Sequence, residues 1–305
     1  MRKKIIFLAV LTILSCVAVF GWQKIKQKDL QVAEPAKAAK LARIKHINLV
    51  ALGDSLTEGV GDEKHEQGYS GRIAKKIAKK YDITVSMSNF GKSGDRSDQI
   101  QKRLQTQPDF QREVGRANVI LMTVGGNDLQ QSLLKNISAK TPTDLSAAIV
   151  AGQKQYENKL ADLFKAVRNQ NSDAPIFIFG NYNPLFVHFP KRDDLNKDVQ
   201  LFNNINRRVA SNDKNSYYVS SYQITFGQYN NKELQQTLSN PVKPVTKKAD
   251  VNAEMTATLL GESTVKNNWI SETDNYHPNN VGYNYMTSQL FHVMRKEQST
   301  WLKTR

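Results

Sequence analysis

The sequence predicts an open, doubly wound α/β domain, a mainly parallel sheet with helices on both faces. Two observations carry this. Five short apolar runs alternate with helical stretches between residues 46 and 296, the pattern of strands joined by helical crossovers. Polar, glycine-containing clusters follow the first three runs, at the carboxyl ends of the strands where ligands bind in such sheets. The composition is compatible: 305 residues with 39% hydrophobic and 23% charged side chains can bury a self-sufficient core. Only 16 Gly, 9 Pro and 1 Cys exclude a collagen, a low-complexity chain or a small disulfide scaffold.

The runs at Ile47–Leu52, Ile83–Ser88, Val119–Val124, Ile176–Phe179 and Tyr217–Ser220 are short and apolar enough for strands. The first ends at Gly53. Helices are expected at Tyr69–Lys80, with Ile73 and Ile77 on one face, at Asp98–Leu104, Leu145–Asn169 and Asn196–Ala210, and at Asn280–Lys296 as the closing element. Two stretches break the repeat, residues 185–194 and the Asn-, Gln-, Lys- and Thr-rich 227–268. Connections this long in a compact domain are usually functional or disordered, so both are candidates for a cap over a site.

Residues 1–28 stand apart. Ile5–Trp22 is an 18-residue run without a charge, preceded by Arg2, Lys3 and Lys4 and followed by Lys24, Lys26 and Lys28. An uncleaved membrane anchor is expected, because the run is long for a signal-peptide core and no small-x-small cleavage site follows it. A removed signal is the alternative. A third, lipidation at Cys16 in Ile13-Leu14-Ser15-Cys16, fits less well because apolar or small residues continue after it. Basic residues on both flanks leave orientation open by charge counting, and a lone N-terminal span before a long soluble domain favours export. Residues 29–45 then form a Lys- and Ala-rich spacer and 46–305 the domain. The net charge of +15 falls to +9 beyond residue 28, from 37 basic and 28 acidic side chains. That excess reads as a solvated surface or as attraction to anionic lipid or wall polymer; nucleic acid is disfavoured by the anchor.

The chemistry-bearing clusters are Gly53-Asp54-Ser55-Leu56-Thr57-Glu58-Gly59 after the first run, Asn89-Phe90-Gly91-Lys92-Ser93-Gly94-Asp95 after the second, Gly125-Gly126-Asn127-Asp128 after the third, and Asp274-Asn275-Tyr276-His277-Pro278 before the last helix. In this order they resemble the four sequence blocks of the SGNH hydrolases, the GDSL-type lipases and esterases. Gly-Asp-Ser-Leu alone arises by chance in roughly one chain of this length in a hundred, and three further blocks make the match specific. The resemblance implies a flavodoxin-like sheet of about five strands ordered 2-1-3-4-5, with Ser55 as nucleophile, His277 as base and Asp274 orienting it. It also implies an oxyanion hole built from the backbone N–H groups of Ser55 and Gly94 and the side-chain amide of Asn127. The chemistry is consistent with these residue types. A seryl hydroxyl needs a base to attack, an imidazole needs a partner to fix its tautomer, and a glycine at 94 lets backbone approach substrate.

Each residue also has a plainer role open to it. Ser55 could be only a helix cap, Asn127 and Asp128 a turn, and His277 before Pro278 a helix start. Asp54 and Asp128 are expected to order their loops, and among the other histidines His65 and His188 are the candidates for a pocket rim. Gly91-Lys92-Ser93 lacks the earlier glycine of a phosphate-binding loop. No Gly-x-Ser-x-Gly elbow is present, and no spacing suggests a metal, so neither cofactor nor metal is expected. The sequence therefore reads as a membrane-tethered, serine-dependent acyl-ester hydrolase. Its candidate substrates are lipid esters, O-acetylated wall glycan and thioesters, and a non-catalytic cell-surface binding domain on the same fold is the alternative.

Overall fold

A computed structural model describes residues 44–136, 139, 141–238 and 265–302. The expected span Ile5–Trp22, the spacer and residues 239–264 lie outside the described residues. Within them, β1 (His46–Gly53), β2 (Thr84–Gly91), β3 (Val119–Thr123), β4 (Ile176–Phe179) and β5 (Ser216–Val219) form one all-parallel sheet ordered β2-β1-β3-β4-β5. The helices are α1 (Ser55–Glu58), α2 (Gly68–Tyr81), α3 (Ser97–Thr106), α4 (Pro108–Arg116), α5 (Gly126–Lys135), α6 (Pro142–Gln170), α7 (Asp193–Asn212), α8 (Lys232–Thr237), α9 (Asn280–Lys296) and α10 (Gln298–Trp301). No helix among the described residues is long and apolar enough to cross a membrane.

Side chains alternate across a strand, so β1 feeds two cores. Leu49 and Ala51 pack with Tyr69, Ile73 and Ile77 of α2 and Tyr283, Met286, Leu290 and Met294 of α9. Val50 and Leu52 face the opposite layer, with Ile100 of α3, Phe110 of α4, Leu160 and Leu163 of α6 and Ile205 of α7. The spacing of Tyr69, Ile73 and Ile77 puts all three on one face of α2, and all three are fully buried. Each such side chain contributes about 1.5–3 kcal/mol. At its end α2 is stopped by Asp82, whose φ of 53° is left-handed and whose N–H returns to the Ala78 carbonyl. At the start of α6, Thr141 accepts from the Asp144 N–H at 3.1 Å and Pro142 takes the first turn, where its missing donor costs nothing.

The structure departs from the sequence expectation at three kinds of place. β2 continues to Gly91, beyond the apolar run, because Asn89 and Gly91 register against Ala51 and Gly53. Helix α4 has only Phe110 and Val114 as apolar core residues, too few for a periodic signal, yet both are fully buried and Phe110 stacks on Phe90 at 4.2 Å. Helix α5 begins within the Gly-Gly-Asn-Asp cluster, whose composition favours a turn. Residues 185–194 include the buried Leu185, Phe186 and Val187, and Phe186 meets Phe226 edge-on at 4.9 Å. The two ends of segment 227–268 are tied by Gln228, which donates to the Lys266 carbonyl at 2.8 Å and accepts from the Asn268 N–H at 2.9 Å.

The strand register positions the site. Gly53 lies opposite both Gly91 and Thr123, so the loops after β1, β2 and β3 leave the sheet at one level. The chain order reverses between β1 and β3, where such sheets open a crevice.

Candidate active site

Ser55 is the first residue of α1, directly after β1, and is 4% exposed. The helix cap is Asp54, not Ser55: its Oδ1 accepts from the Leu56 N–H at 3.1 Å and from the Thr123 hydroxyl at 2.7 Å. The plain capping role open to Ser55 is therefore already filled by its neighbour. Burial pushes the Asp54 carboxyl above the usual range, against the opposing pull of the Thr123 and Leu56 bonds. Beneath it, Thr57 Oγ1 shares hydrogen bonds with the Tyr69 hydroxyl at 2.8 Å and Thr123 Oγ1 at 2.7 Å, which lock α1 onto β3 and α2.

The loop before α9 presents the imidazole. Asn275 adopts φ 50°, a left-handed conformation that Asn tolerates better than most residues. The resulting tight turn lets Asp274 Oδ1 accept from the Tyr276 and His277 N–H groups at 2.9 and 3.0 Å. Its Oδ2 is left for His277 Nδ1 at 2.6 Å, and His277 Nε2 lies 2.8 Å from Ser55 Oγ. Burial raises the Asp274 carboxyl, but the imidazole and the two backbone donors outweigh it and hold the group below the usual carboxylate range. An ionised Asp274 accepts from Nδ1–H, so the neutral ring carries its lone pair on Nε2 and accepts from the Ser55 hydroxyl.

This loop is held from several sides. The Ser271 N–H donates to the His277 carbonyl at 2.8 Å, and the Tyr182 hydroxyl donates to the Tyr276 carbonyl at 2.7 Å. Arg72 makes a buried two-bond pair with Asp62 at 2.8 and 2.7 Å and donates to Asn280 at 2.8 Å, fastening the loop before α2 to the start of α9. Removing one member of a buried pair leaves the other charge uncompensated, at a cost of about 3–5 kcal/mol.

Gly94 is the third residue of the Lys92–Asp95 turn, closed by the Asp95 N–H on the Lys92 carbonyl at 3.2 Å. Its φ of 81° requires glycine, and a Cβ there would point into open space with no atom within 4 Å. The turn is pinned by Arg103, which donates to Asp95 at 2.5 Å and to the Phe90 carbonyl at 3.0 Å. Asn127 lies in the first turn of α5, and its Nδ2 donates to the Asp95 carbonyl at 2.9 Å. That bond joins the third loop to the second and leaves the other N–H of the amide available. Asp128 accepts from the Ser97 N–H at 3.0 Å and hydroxyl at 2.7 Å, the loop-ordering role expected of it.

A cavity of about 30 Å³ is bordered by Ser55, Leu56, Asn127, Asn181, Tyr182 and Tyr276, among others. Ser55 and Asn127 thus face one space. Gly94 does not border it and is linked to it through Asp95. His65 and His188 do not border it either; His65 is exposed, and burial pushes the His188 imidazole down to about 4.

A hydroxyl, an imidazole and a carboxylate in one hydrogen-bonded line at the carboxyl edge of a parallel β2-β1-β3-β4-β5 sheet define a serine hydrolase on a flavodoxin-like sheet. The chain belongs to the GDSL-like lipase/acylhydrolase family, whose pattern matches residues 51–285, and is an ester hydrolase. It is 27% identical over 262 residues to the uncharacterized protein YpmR of Bacillus subtilis, covering 86% of each chain. It is 30% identical over 165 residues to the spore germination lipase LipC of Bacillus licheniformis, covering 54% of this chain and 76% of that one. In fold it is similar to the lipase Lip_vut3 from a goat rumen metagenome, with a TM-score of 0.59, 22% identity and coverage of 82% and 97% of the two chains.

The residues that sequence reasoning did not find are those that hold the site. Arg103 with Asp95 and Arg72 with Asp62 are separated by eight and ten positions across loop and helix, a spacing with no local signature. Asn181 and Tyr182 follow β4 in Gly180-Asn181-Tyr182-Asn183-Pro184, a polar cluster at a strand's carboxyl end like those after β1, β2 and β3.

Proposed function

We propose that Ser55 is the nucleophile of this ester hydrolase and that the reaction runs through an acyl-enzyme. The observation that carries this is the 2.8 Å contact between Ser55 Oγ and His277 Nε2, with Asp274 on the far side of the ring at 2.6 Å. His277 takes the hydroxyl proton as Oγ attacks the acyl carbon, and Asp274 stabilises the imidazolium that forms. The same proton goes to the leaving alcohol, and His277 then activates water against the acyl-enzyme. The developing oxyanion is met by the Ser55 and Gly94 N–H groups and the free N–H of Asn127. Helix α1 is only one turn long, so this stabilisation rests on individual donors and hardly on a helix dipole.

The role of Asn127 has a kinetic signature. A donor that bonds the oxygen only as it becomes negative lowers the chemical barrier more than it aids substrate affinity. Asn127→Ala is expected to lower kcat about 10²-fold or more on a short nitrophenyl ester. A change confined to KM would remove Asn127 from the oxyanion hole.

The domain is further proposed to act outside the cytoplasm, tethered by Ile5–Trp22. Eighteen apolar residues rising about 1.5 Å each reach about 27 Å, close to the hydrocarbon thickness of a bilayer. The spacer keeps the site near the surface, where +9 on the domain favours anionic lipid or wall polymer. Ester-bearing lipids and acylated wall glycans are the substrates that this location offers. Protease added to intact, wall-stripped cells is expected to digest the domain and spare a cytoplasmic control. Protection until the membrane is lysed would reverse the orientation, and activity released into the medium with a new N-terminus beyond Trp22 would indicate a cleaved signal.

A further inference from the structure

Arg103 on α3 bonds to chain segments on both sides of the proposed oxyanion donors. Its Nη2 donates to the Gly53 carbonyl at 3.3 Å, two residues before Ser55, and to the Phe90 carbonyl at 3.0 Å near the end of β2. Its Nε donates to Asp95 Oδ2 at 2.5 Å. One planar guanidinium thus ties the exits of β1 and β2 to the residue after Gly94. The group lies over the Phe110 ring at 5.5 Å, and the Arg103 and Asp95 side chains are only 14% and 8% exposed. Phe110 is itself fully buried and stacked on Phe90, so the guanidinium rests on a fixed platform.

From Asp95 the contacts pass to the donors. The Asp95 carbonyl accepts from Asn127 Nδ2 at 2.9 Å, which sets the rotation of that amide and so the direction of its second N–H. The Asp95 N–H closes the turn on the Lys92 carbonyl at 3.2 Å, and the Lys92 N–H is fastened to the Gly53 carbonyl at 3.1 Å. Gly94 sits inside this turn, where a Cβ would meet only open space, so the turn is held from its Asp95 side.

We propose that Arg103 is a positioning residue for the oxyanion hole: acting through Asp95, it sets the directions of the Asn127 amide and the Gly94 N–H toward the developing negative charge. This rests on Asn127 being a donor to the oxyanion. Arg103 does not border the cavity that Ser55 and Asn127 share, so its effect on the reaction passes through those donors. Donors of this kind work only when they are aimed before the charge develops. Lysine cannot take its place, because an ammonium is a point charge without the planar fork that meets two carbonyls and a carboxylate from different segments.

The test is a double-mutant cycle on the full chain, with Arg103→Lys made in the wild type and in Asn127→Ala and assayed on a short nitrophenyl ester. In the wild type kcat is expected to fall about 10-fold or more with KM unchanged, within what a displacement of about 1 Å can cost. In Asn127→Ala the same substitution is expected to cost about 3-fold or less, because one of the two donors that Arg103 sets is already gone. A smaller folded fraction would instead lower kcat by the same factor in both backgrounds. Equal factors, or a change confined to KM, would overturn the assignment. If Arg103→Lys does not fold by circular dichroism, Asp95→Asn, which keeps the shape and removes the charge, enters the same cycle with the same expectation of unequal factors. An unchanged kcat in Asn127→Ala would remove Asn127 from the oxyanion hole and the role of Arg103 with it. A lowered kcat in Asn127→Ala with equal factors overturns the role of Arg103 alone.

Discussion

Ser55→Ala is expected to abolish hydrolysis, with kcat falling about 10⁶-fold, the loss seen when a serine hydrolase loses its nucleophile. The side chain's hydrogen bond runs to His277, while the fold around it is held by Asp54, Thr57 and Thr123. The variant should therefore keep its melting temperature to within a few degrees while losing turnover. Steady-state assays on a short nitrophenyl ester, beside a thermal melt, separate the two. Retained turnover in the folded variant would place the nucleophile elsewhere.

His277→Ala should cost nearly as much, and Asp274→Ala less. Without the imidazole nothing removes the Ser55 proton. Without Asp274 the ring remains within reach of Oγ but loses the partner of Nδ1 and the turn that its carboxylate holds through two backbone N–H groups. By analogy with other triads the carboxylate variant keeps about 10- to 100-fold more activity than the histidine variant. Measured kcat for the two variants checks the ranking, and the reverse order in folded proteins would exchange their roles.

How much of this was legible in the sequence follows from what makes a local signal. The strands of the sheet centre are short apolar runs bounded by glycine or polar residues, and the apolar run Ile176–Phe179 coincides with β4. The helix expected at Asn280–Lys296 likewise coincides with α9, because Asn279 caps it and apolar side chains recur at helical spacing. Helix α4 was not legible, since two core contacts in nine residues leave no periodicity. The strand order came through the family resemblance, because alternation alone permits other windings. Ser55, Gly94, Asn127, Asp274 and His277 stand out in the sequence because they sit in compact blocks of characteristic composition. The network around them does not, because the Arg72–Asp62 and Arg103–Asp95 pairs and the Thr57–Thr123–Asp54 chain join residues from separate elements. Asn181 and Tyr182, which border the cavity, stand in a polar cluster after the fourth strand, but no neighbouring motif marks them.

Activation of the Ser55 hydroxyl by His277 is tested most directly by covalent capture. The protein is treated with a fluorophosphonate and digested, and the modified residue is located by mass spectrometry. One adduct is expected, on the peptide carrying Ser55, formed rapidly in the wild type and lost in His277→Ala. An adduct on a different residue, or undiminished labelling of Ser55 without His277, would contradict it.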